Sequence, residues 1–401
     1  MDNKNIPYIR VATTFYKIVK TPKIYGSATE TLVKWKAQTI IQDKGRPFLD
    51  KIPKYDSFFC KPDHINYKRE YKNHYNIYSP LSHNLTEGSI DYTLMFLKHI
   101  FGEQIELGLD YLQLLYMKPT QILPVLCLVS RERVTGKTTF LKWLKYVFES
   151  NLTYVTNHDF SSQFNSDWAN KLLICADEVL LKTKEITERI KFLSTTDTIK
   201  IEPKGRDKIE GEHFGKFIMC SNNETTFLKV DKEETRFWIV KVPENENEDS
   251  LLLEKLRQEI PSFLNFLLNR KLSVPKSLTR MWFSPEQIRT TALLRVMYSS
   301  EEEMEFPIID ALHELIQVIP DEIINICPKD IMNLTGKDTK HARSSIIYIL
   351  KSWDLKPANP AQYHAYNYIN GEYKLRKSRG RYYSISRDFI ISKFDNLTLY
   401  Q

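Results

Sequence analysis

Between residues 121 and 299 the chain alternates short apolar runs with polar loops and helical stretches. The runs ILPVLCLVS (122–130), NKLLICADEV (170–179), GKFIMCSN (215–222) and RFWIVKVP (236–243) have the length of buried strands bounded by loops. KTTFLKWLKYVF (137–148) follows the first run with the spacing of a helix. Strands alternating with helices predict an α/β sheet, and a nucleotide-binding core is the natural reading.

The flanks read differently. Residues 1–88 are rich in Tyr, Lys and Asn, with short alternating stretches such as YIRVATTFYKIV and no chemical motif, and form a small accessory region. Residues 89–120 place apolar side chains three and four apart, the pattern of amphipathic helices leading into the next domain. After Pro243, ENENEDS reads as a solvated loop and LLLEKLRQEIPSFLNFLLNRKL as a helical pair closing over the core. Residues 300–401 give three helices and then a Tyr- and Arg-rich hairpin, an order that resembles a winged-helix domain.

Composition narrows this only slightly. With 42% hydrophobic and 27% charged residues, the 401-residue chain belongs with ordinary globular proteins, large enough for two or three units. The net charge of +7 is compatible with a polyanionic partner. Five scattered cysteines suggest neither disulfides nor a zinc site, and they predict a reducing compartment. No run reaches the roughly 18 apolar residues of a membrane span, and the first residues lack a signal-peptide core. A cytoplasmic protein without a membrane partner is expected.

The chemistry concentrates in four places. Thr135, Gly136, Lys137, Thr138 and Thr139 lie between a buried strand and a helix, as a phosphate-binding loop requires. There the backbone N–H groups cradle phosphates, the lysine neutralises β/γ charge and the hydroxyl after it holds Mg²⁺. Arg131 stands where the full pattern has its first glycine, so an ordinary helix-start glycine followed by lysine is the alternative. Asp177 and Glu178 end a strand 40 residues after Lys137, suited to holding the metal and polarising the attacking water; two surface acids are the alternative. Asn222 ends the next strand, where an amide can sense the γ-phosphate or simply make a turn. Arg236 begins the last strand and can stabilise a transferred phosphoryl group or pair with nearby acids.

Taken together, TGKTT, ICADEV, IKIEPKGRD, KFIMCSNN and ETRFWIV resemble, in order, the motifs of superfamily 3 helicases, the primase–helicases of phages, plasmids and poxvirus-like replicons. HYNIYSPLSHNLTEGSI and LDYLQLLYMKP also look like sequences that precede such motors. The resemblance implies an AAA+-like P-loop NTPase core binding ATP and Mg²⁺, with Thr138 and Asp177 at the metal. Lys137, Asp177, Glu178 and Asn222 would be catalytic, and Arg236 an arginine finger reaching across a subunit boundary of a homo-hexamer. It also implies that single-stranded DNA passes through the ring, touched by Lys204, Arg206 and Lys208 on a hairpin over 200–213; a solvated charged hairpin is the alternative.

Near the end of the chain, residues 370–388 hold six basic residues against two acids, among them Arg376, Lys377, Arg379 and Arg381, interleaved with tyrosines. They suit the phosphates of a duplex, and stabilising the wing's own fold is the alternative. The expectation is an ATP-dependent DNA helicase or translocase in phage or mobile-element replication. A nucleotide-regulated DNA-binding initiator or ring-assembly factor is the competing reading. Residues 1–88 offer no primase site, so a primase or polymerase partner would be a separate chain.

Overall fold

A computed structural model describes residues 6–22, 28–181, 183–202, 207–231, 234–244, 249–298, 304–336, 342–369 and 372–398. Lys204 and Arg206 therefore lie outside the described residues. The chain forms two compact units, one of residues 1–181, 185–222 and 236–287, the other of residues 182–184, 223–235 and 288–401.

The first unit opens with β1 (Tyr8–Val11), β2 (Thr14–Thr21), β3 (Thr29–Trp35), α1 (Ala37–Lys44) and β4 (Lys54–Tyr55), and the four strands form one sheet in the order β3-β2-β1-β4. β5 (Phe58–Phe59), β6 (Glu70–Tyr71) and β7 (His74–Asn76) make a second sheet in the order β5-β7-β6. Alternation along β1 serves both sides of its sheet. Tyr8 packs with Ile40 and Ile52 on one face, while Ile9 and Val11 meet Tyr75 of β7 on the other.

Helices α2 (Asp91–Phe101) and α3 (Ile105–Met117) lead into the core. Glu259 caps α2 from a distance, accepting from Tyr92 N at 3.2 Å and from both Thr93 N and Thr93 Oγ1 at 2.7 Å. In α3, fully buried Asp110 accepts from Ser273 N, Ser273 Oγ and Val274 N at 2.8–3.0 Å and pairs with Arg270. The buried charge is thus surrounded by donors, the condition for tolerating it.

The core comprises β8 (Val125–Val129), α4 (Lys137–Phe148), β9 (Leu152–Tyr154), α5 (Asn157–Ser161), β10 (Leu173–Ala176), α6 (Lys184–Leu193), β11 (Thr198–Ile201), β12 (Ile209–Glu212), β13 (Lys216–Ser221) and β14 (Phe237–Lys241). Five strands form a parallel sheet in the order β14-β8-β13-β10-β9. Every residue of β8, β10 and β13 is buried, which is why these strands read as unbroken apolar runs rather than as alternation. The chain is therefore mixed α/β with a parallel sheet, as its pattern predicts. β9 is an addition: three residues, LTY, at the sheet edge. β11 and β12 form the antiparallel hairpin expected over residues 200–213. α7 (Leu252–Gln258) and α8 (Ile260–Asn269) follow β14, and α8 buries Phe263, Leu264 and Leu267.

The second unit holds α9 (Pro285–Ile288) from its last residue onward, α10 (Thr291–Met297), α11 (Glu305–Val318), β15 (Ile323–Ile326), α12 (Pro328–Thr335), α13 (Ala342–Ser352), β16 (Ala361–Ile369), β17 (Glu372–Gly380), β18 (Tyr383–Ser386) and α14 (Arg387–Thr398). It begins before residue 300 because Arg295 of α10 is bonded to Asp310 at 2.6 and 2.9 Å and to Glu314 at 2.7 Å, both on α11. Its core gathers Ile308, Leu312, Ile324, Ile346, Leu350 and Ile385. β16 and β17 pair antiparallel along their length, and β15 pairs with β18.

Candidate functional site at the carboxyl edge of the parallel sheet

Because β8, β10 and β13 are parallel, their carboxyl ends lie side by side, with Val129 paired to Ser221 and Met219 to Ala176. Whatever follows each strand is delivered to one edge, where open α/β sheets bind ligands. After β8 comes the loop 130–136 and then α4; after β10, Asp177 and Glu178; after β13, Asn222. A cleft of about 760 Å³ forms there, lined by residues 133–139, Asp177, Glu178 and Asn222.

Local geometry sets each side chain. Gly136 precedes α4 with φ at +91°, and a Cβ there would stand 3.1 Å from Phe96, so both conformation and space favour glycine. Thr135 is buried, its carbonyl 3.0 Å from His99 Nε2 and its hydroxyl accepting from Lys137 Nζ at 2.9 Å. Lys137 is itself buried and Nζ also reaches Glu132 O at 3.4 Å, so the ammonium is held close beneath the loop. Thr138 Oγ1 donates to Asp177 Oδ2 at 2.8 Å. Glu178 follows with φ at +56°, its carbonyl 3.4 Å from Asn157 Nδ2 and its side chain exposed at the cleft.

The first turn of α4 offers unsatisfied N–H groups and the positive end of a helix dipole, a setting for a polyanion. The Thr138 hydroxyl and Asp177 carboxylate suit a cation that takes one or two protein oxygens and completes its shell from phosphate and water, as Mg²⁺ does. Among the described residues no group of three His, Cys, Asp or Glu side chains makes an all-protein metal site.

Val134 departs from the usual chemistry of such loops. This β-branched residue has φ at +59° and is 61% exposed, so the loop attains its left-handed curvature without a glycine there.

The remaining predicted residues are placed elsewhere. Arg236 precedes β14, and because Phe237 is paired with Val125, it sits at the amino edge of the sheet, a strand length of roughly 16 Å from the cleft. Lys208 is paired with Glu202 at 2.7 Å, and Lys200 with Glu210 at 2.8 Å across the hairpin. On β17, Arg376 bonds to Asp330 at 2.8 Å, and Asp330 is fully buried and also accepts from Tyr363 at 2.7 Å. Lys377 and Arg379 lie on the opposite face of that strand, and Arg381 just beyond it.

Asp249, Ser250, Leu252 and Leu253 also line the cleft and carry no sequence signal of doing so. The sequence places them in a solvated loop and the following helix. Asp249 accepts from Lys255 at 2.7 Å and from Leu251 N at 2.9 Å, bonds that hold its carboxyl below the usual range.

A family of unknown function (DUF5906) matches residues 128–236, which span the strands and loops of this cleft. The DNA primase-polymerase of Nitratiruptor phage NrS-1 is 30% identical over 111 residues, 26% of this chain and 15% of that protein, so the chain aligns with only a small part of that relative. The apo structure of the NrS-1 C-terminal region (305–718) covers 94% of this chain and 95% of its own, with a TM-score of 0.56 at 14% identity, a likeness of fold. The A form apo structure of the same region covers 94% of this chain and 94% of its own, with a TM-score of 0.56 at 15% identity.

Proposed function

We propose that the chain is an ATP-dependent DNA helicase or translocase of the superfamily 3 type, acting in replication of a phage or mobile element. The observation that carries this is the meeting of Lys137, the Thr138–Asp177 pair, Glu178 and Asn222 around one cleft at the carboxyl edge of a parallel sheet. The residues Thr135, Gly136, Lys137, Thr138 and Thr139 form the phosphate cradle of a P-loop core. Lys137 draws its charge to the β/γ-phosphates, and Thr138 with Asp177 holds Mg²⁺, which supplies neutralising charge on the phosphates. Glu178 accepts the proton of the attacking water, and Asn222 orients that water by donating and accepting at once. The similarity to part of a phage DNA primase-polymerase supports the setting.

Arg236 belongs to this reading only through a second copy. Since it lies across the sheet from its own cleft, it serves as arginine finger for a neighbour, which supports a ring, read as a homo-hexamer. The strand of DNA in that ring meets the β11–β12 hairpin through Lys204, Arg206 and Lys208. The second unit is read as winged-helix-like, with Lys377, Arg379 and Arg381 facing a duplex and Arg376 holding the fold. A primase or polymerase is the proposed partner activity. No helix among the described residues is long and apolar enough to cross a membrane, and the proposed place of action is the host cytoplasm.

Titration of a fluorescent ATP analogue with Mg²⁺ tests the cleft. Lys137→Ala is expected to weaken binding at least about ten-fold, the scale of one charge-assisted contact to phosphate. Equal binding by both proteins overturns the assignment. The second reading, a nucleotide-regulated DNA-binding initiator or ring-assembly factor with little unwinding, is favoured by one feature, the strained Val134 in the phosphate loop. Tight duplex binding with negligible turnover would support it.

A further inference from the structure

Outside the cleft, the small sheet β5-β7-β6 carries a second constellation of aromatic and basic side chains. Phe59 meets Tyr71 with ring centres 6.1 Å apart and His74 at 6.5 Å. Tyr71 and His74 stand opposite each other across the two-residue turn Lys72-Asn73, whose φ values of 45° and 65° are those of a tight hairpin turn twisted to suit its strands. The turn leaves Tyr71 45% exposed. The ammonium groups of Lys61 and Lys72 lie 5.4 and 5.9 Å from the centre of the Tyr71 ring. Phe59, Lys61, Lys68 and Tyr71 border a cup of about 160 Å³, room for one flat heteroaromatic ring.

Of the three amide or carboxylate side chains at the cup, Asp63 and Asn76 are engaged within the protein, and Asn66 is exposed. Asp63 accepts from Ile65 N at 3.1 Å and Asn66 N at 2.7 Å. Buried Asn76 accepts from Lys61 N at 3.0 Å and donates to Lys61 O and Lys68 O at 3.1 Å. What the cup presents outward is chiefly π surface and ammonium charge, since Lys61, Lys68 and Lys72 are all exposed, with the Asn66 amide beside them. One amide offers a base edge at most one contact point, so the main recognition falls to the π surface and the charge. That combination stacks a base, because every base has a π face, and attracts the phosphates on either side. A duplex hides those faces within its own stack, which leaves the unpaired strand.

We infer that this cup binds an unpaired base of a single-stranded nucleic acid, with Tyr71 and Phe59 as the stacking surface and Lys61, Lys68 and Lys72 on the flanking phosphates. The site gives the accessory region a grip on the strand that is separate from the nucleotide cleft. It stands whether or not that cleft hydrolyses ATP.

The test uses the full chain without nucleotide. Binding of labelled oligo(dT) and oligo(rU) is followed by anisotropy for wild type, Tyr71→Ala, Tyr71→Phe and Lys72→Glu, and an iodouracil-substituted oligonucleotide is photo-crosslinked and mapped by mass spectrometry. Tyr71→Ala is expected to weaken binding about ten-fold, the scale of one lost stack, while Tyr71→Phe binds as wild type does. Lys72→Glu is expected to weaken binding and flatten its salt dependence. Crosslinks should fall in peptides carrying Phe59 or Tyr71. Equal losses on both oligonucleotides assign recognition to base and phosphate, and loss on one alone names the strand that is bound; either supports the inference. Unchanged affinity in both Tyr71→Ala and Lys72→Glu overturns it, wherever the crosslinks lie.

Discussion

Thr138 Oγ1 donates a 2.8 Å hydrogen bond to Asp177 Oδ2, joining the first turn of α4 to the tip of β10. The two residues are far apart in sequence, and the parallel sheet brings them together. In the proposed function this is the pair that holds Mg²⁺. Thr138→Ala is therefore expected to reduce Mg²⁺-dependent ATP hydrolysis by at least about ten-fold, while Thr138→Ser keeps most of it. Both residues are exposed, so thermal unfolding should change by no more than about 1 kcal/mol in either variant. Full activity in Thr138→Ala would exclude the hydroxyl from the metal site.

Val134 supplies a second expectation. Left-handed backbone at a β-branched residue costs on the order of 1–3 kcal/mol, whereas glycine adds about 0.4–1 kcal/mol of unfolded-state entropy. The strain is the larger effect, so Val134→Gly should stabilise the protein by about 1 kcal/mol in denaturant titration. Hydrolysis should be equal or faster, because the loop can then approach phosphates without a side chain. A destabilised Val134→Gly would show that the residue is not strained.

Much of this site was legible beforehand. Strands β8, β10, β13 and β14 were readable because their runs are mostly apolar, Asp177, Glu178 and Asn222 because they follow strand ends, and Lys137 because it opens a helix after a strand and loop. β9 was not, since LTY has neither length nor period, and β15 and β18 are four-residue strands defined only by their pairing with each other. Asp249, Ser250, Leu252 and Leu253 join the cleft because the chain returns past α4 after β14, a tertiary fact with no local pattern. The separation of Arg236 from the cleft depends on strand direction. Arg376 has the same local sequence character as its basic neighbours, and its partner, Asp330, lies 46 residues away in the chain.

That distinction on β17 can be measured. Arg376→Ala leaves the buried Asp330 carboxylate without its cation and should destabilise the second unit by about 3 kcal/mol. Lys377→Glu with Arg379→Glu should leave unfolding almost unchanged and weaken duplex binding several-fold, more at low salt than at high. Loss of stability in the double variant, with binding intact, would assign the whole strand to structure.

The protein should also lose stability in acid. Burial pushes the rings of His64 and His213 down to about 4, with the nearby Lys216 charge adding to the effect in both, so both are neutral when folded. In the unfolded chain they take up protons near pH 6.5. The unfolded state thus binds more protons between pH 6.5 and 4, and stability present above pH 6.5 falls across that window, by on the order of 3 kcal/mol per ring. Urea titrations at pH 7.5 and 5 should show this. His213→Leu should lessen the slope, and an unaltered slope would place the acid sensitivity elsewhere.

The most direct test of the central claim is ATP hydrolysis by wild type and Lys137→Ala, each with and without single-stranded DNA. The proposed motor predicts hydrolysis that DNA accelerates and that Lys137→Ala abolishes. A folded wild-type protein that hydrolyses no ATP under any DNA condition would contradict it.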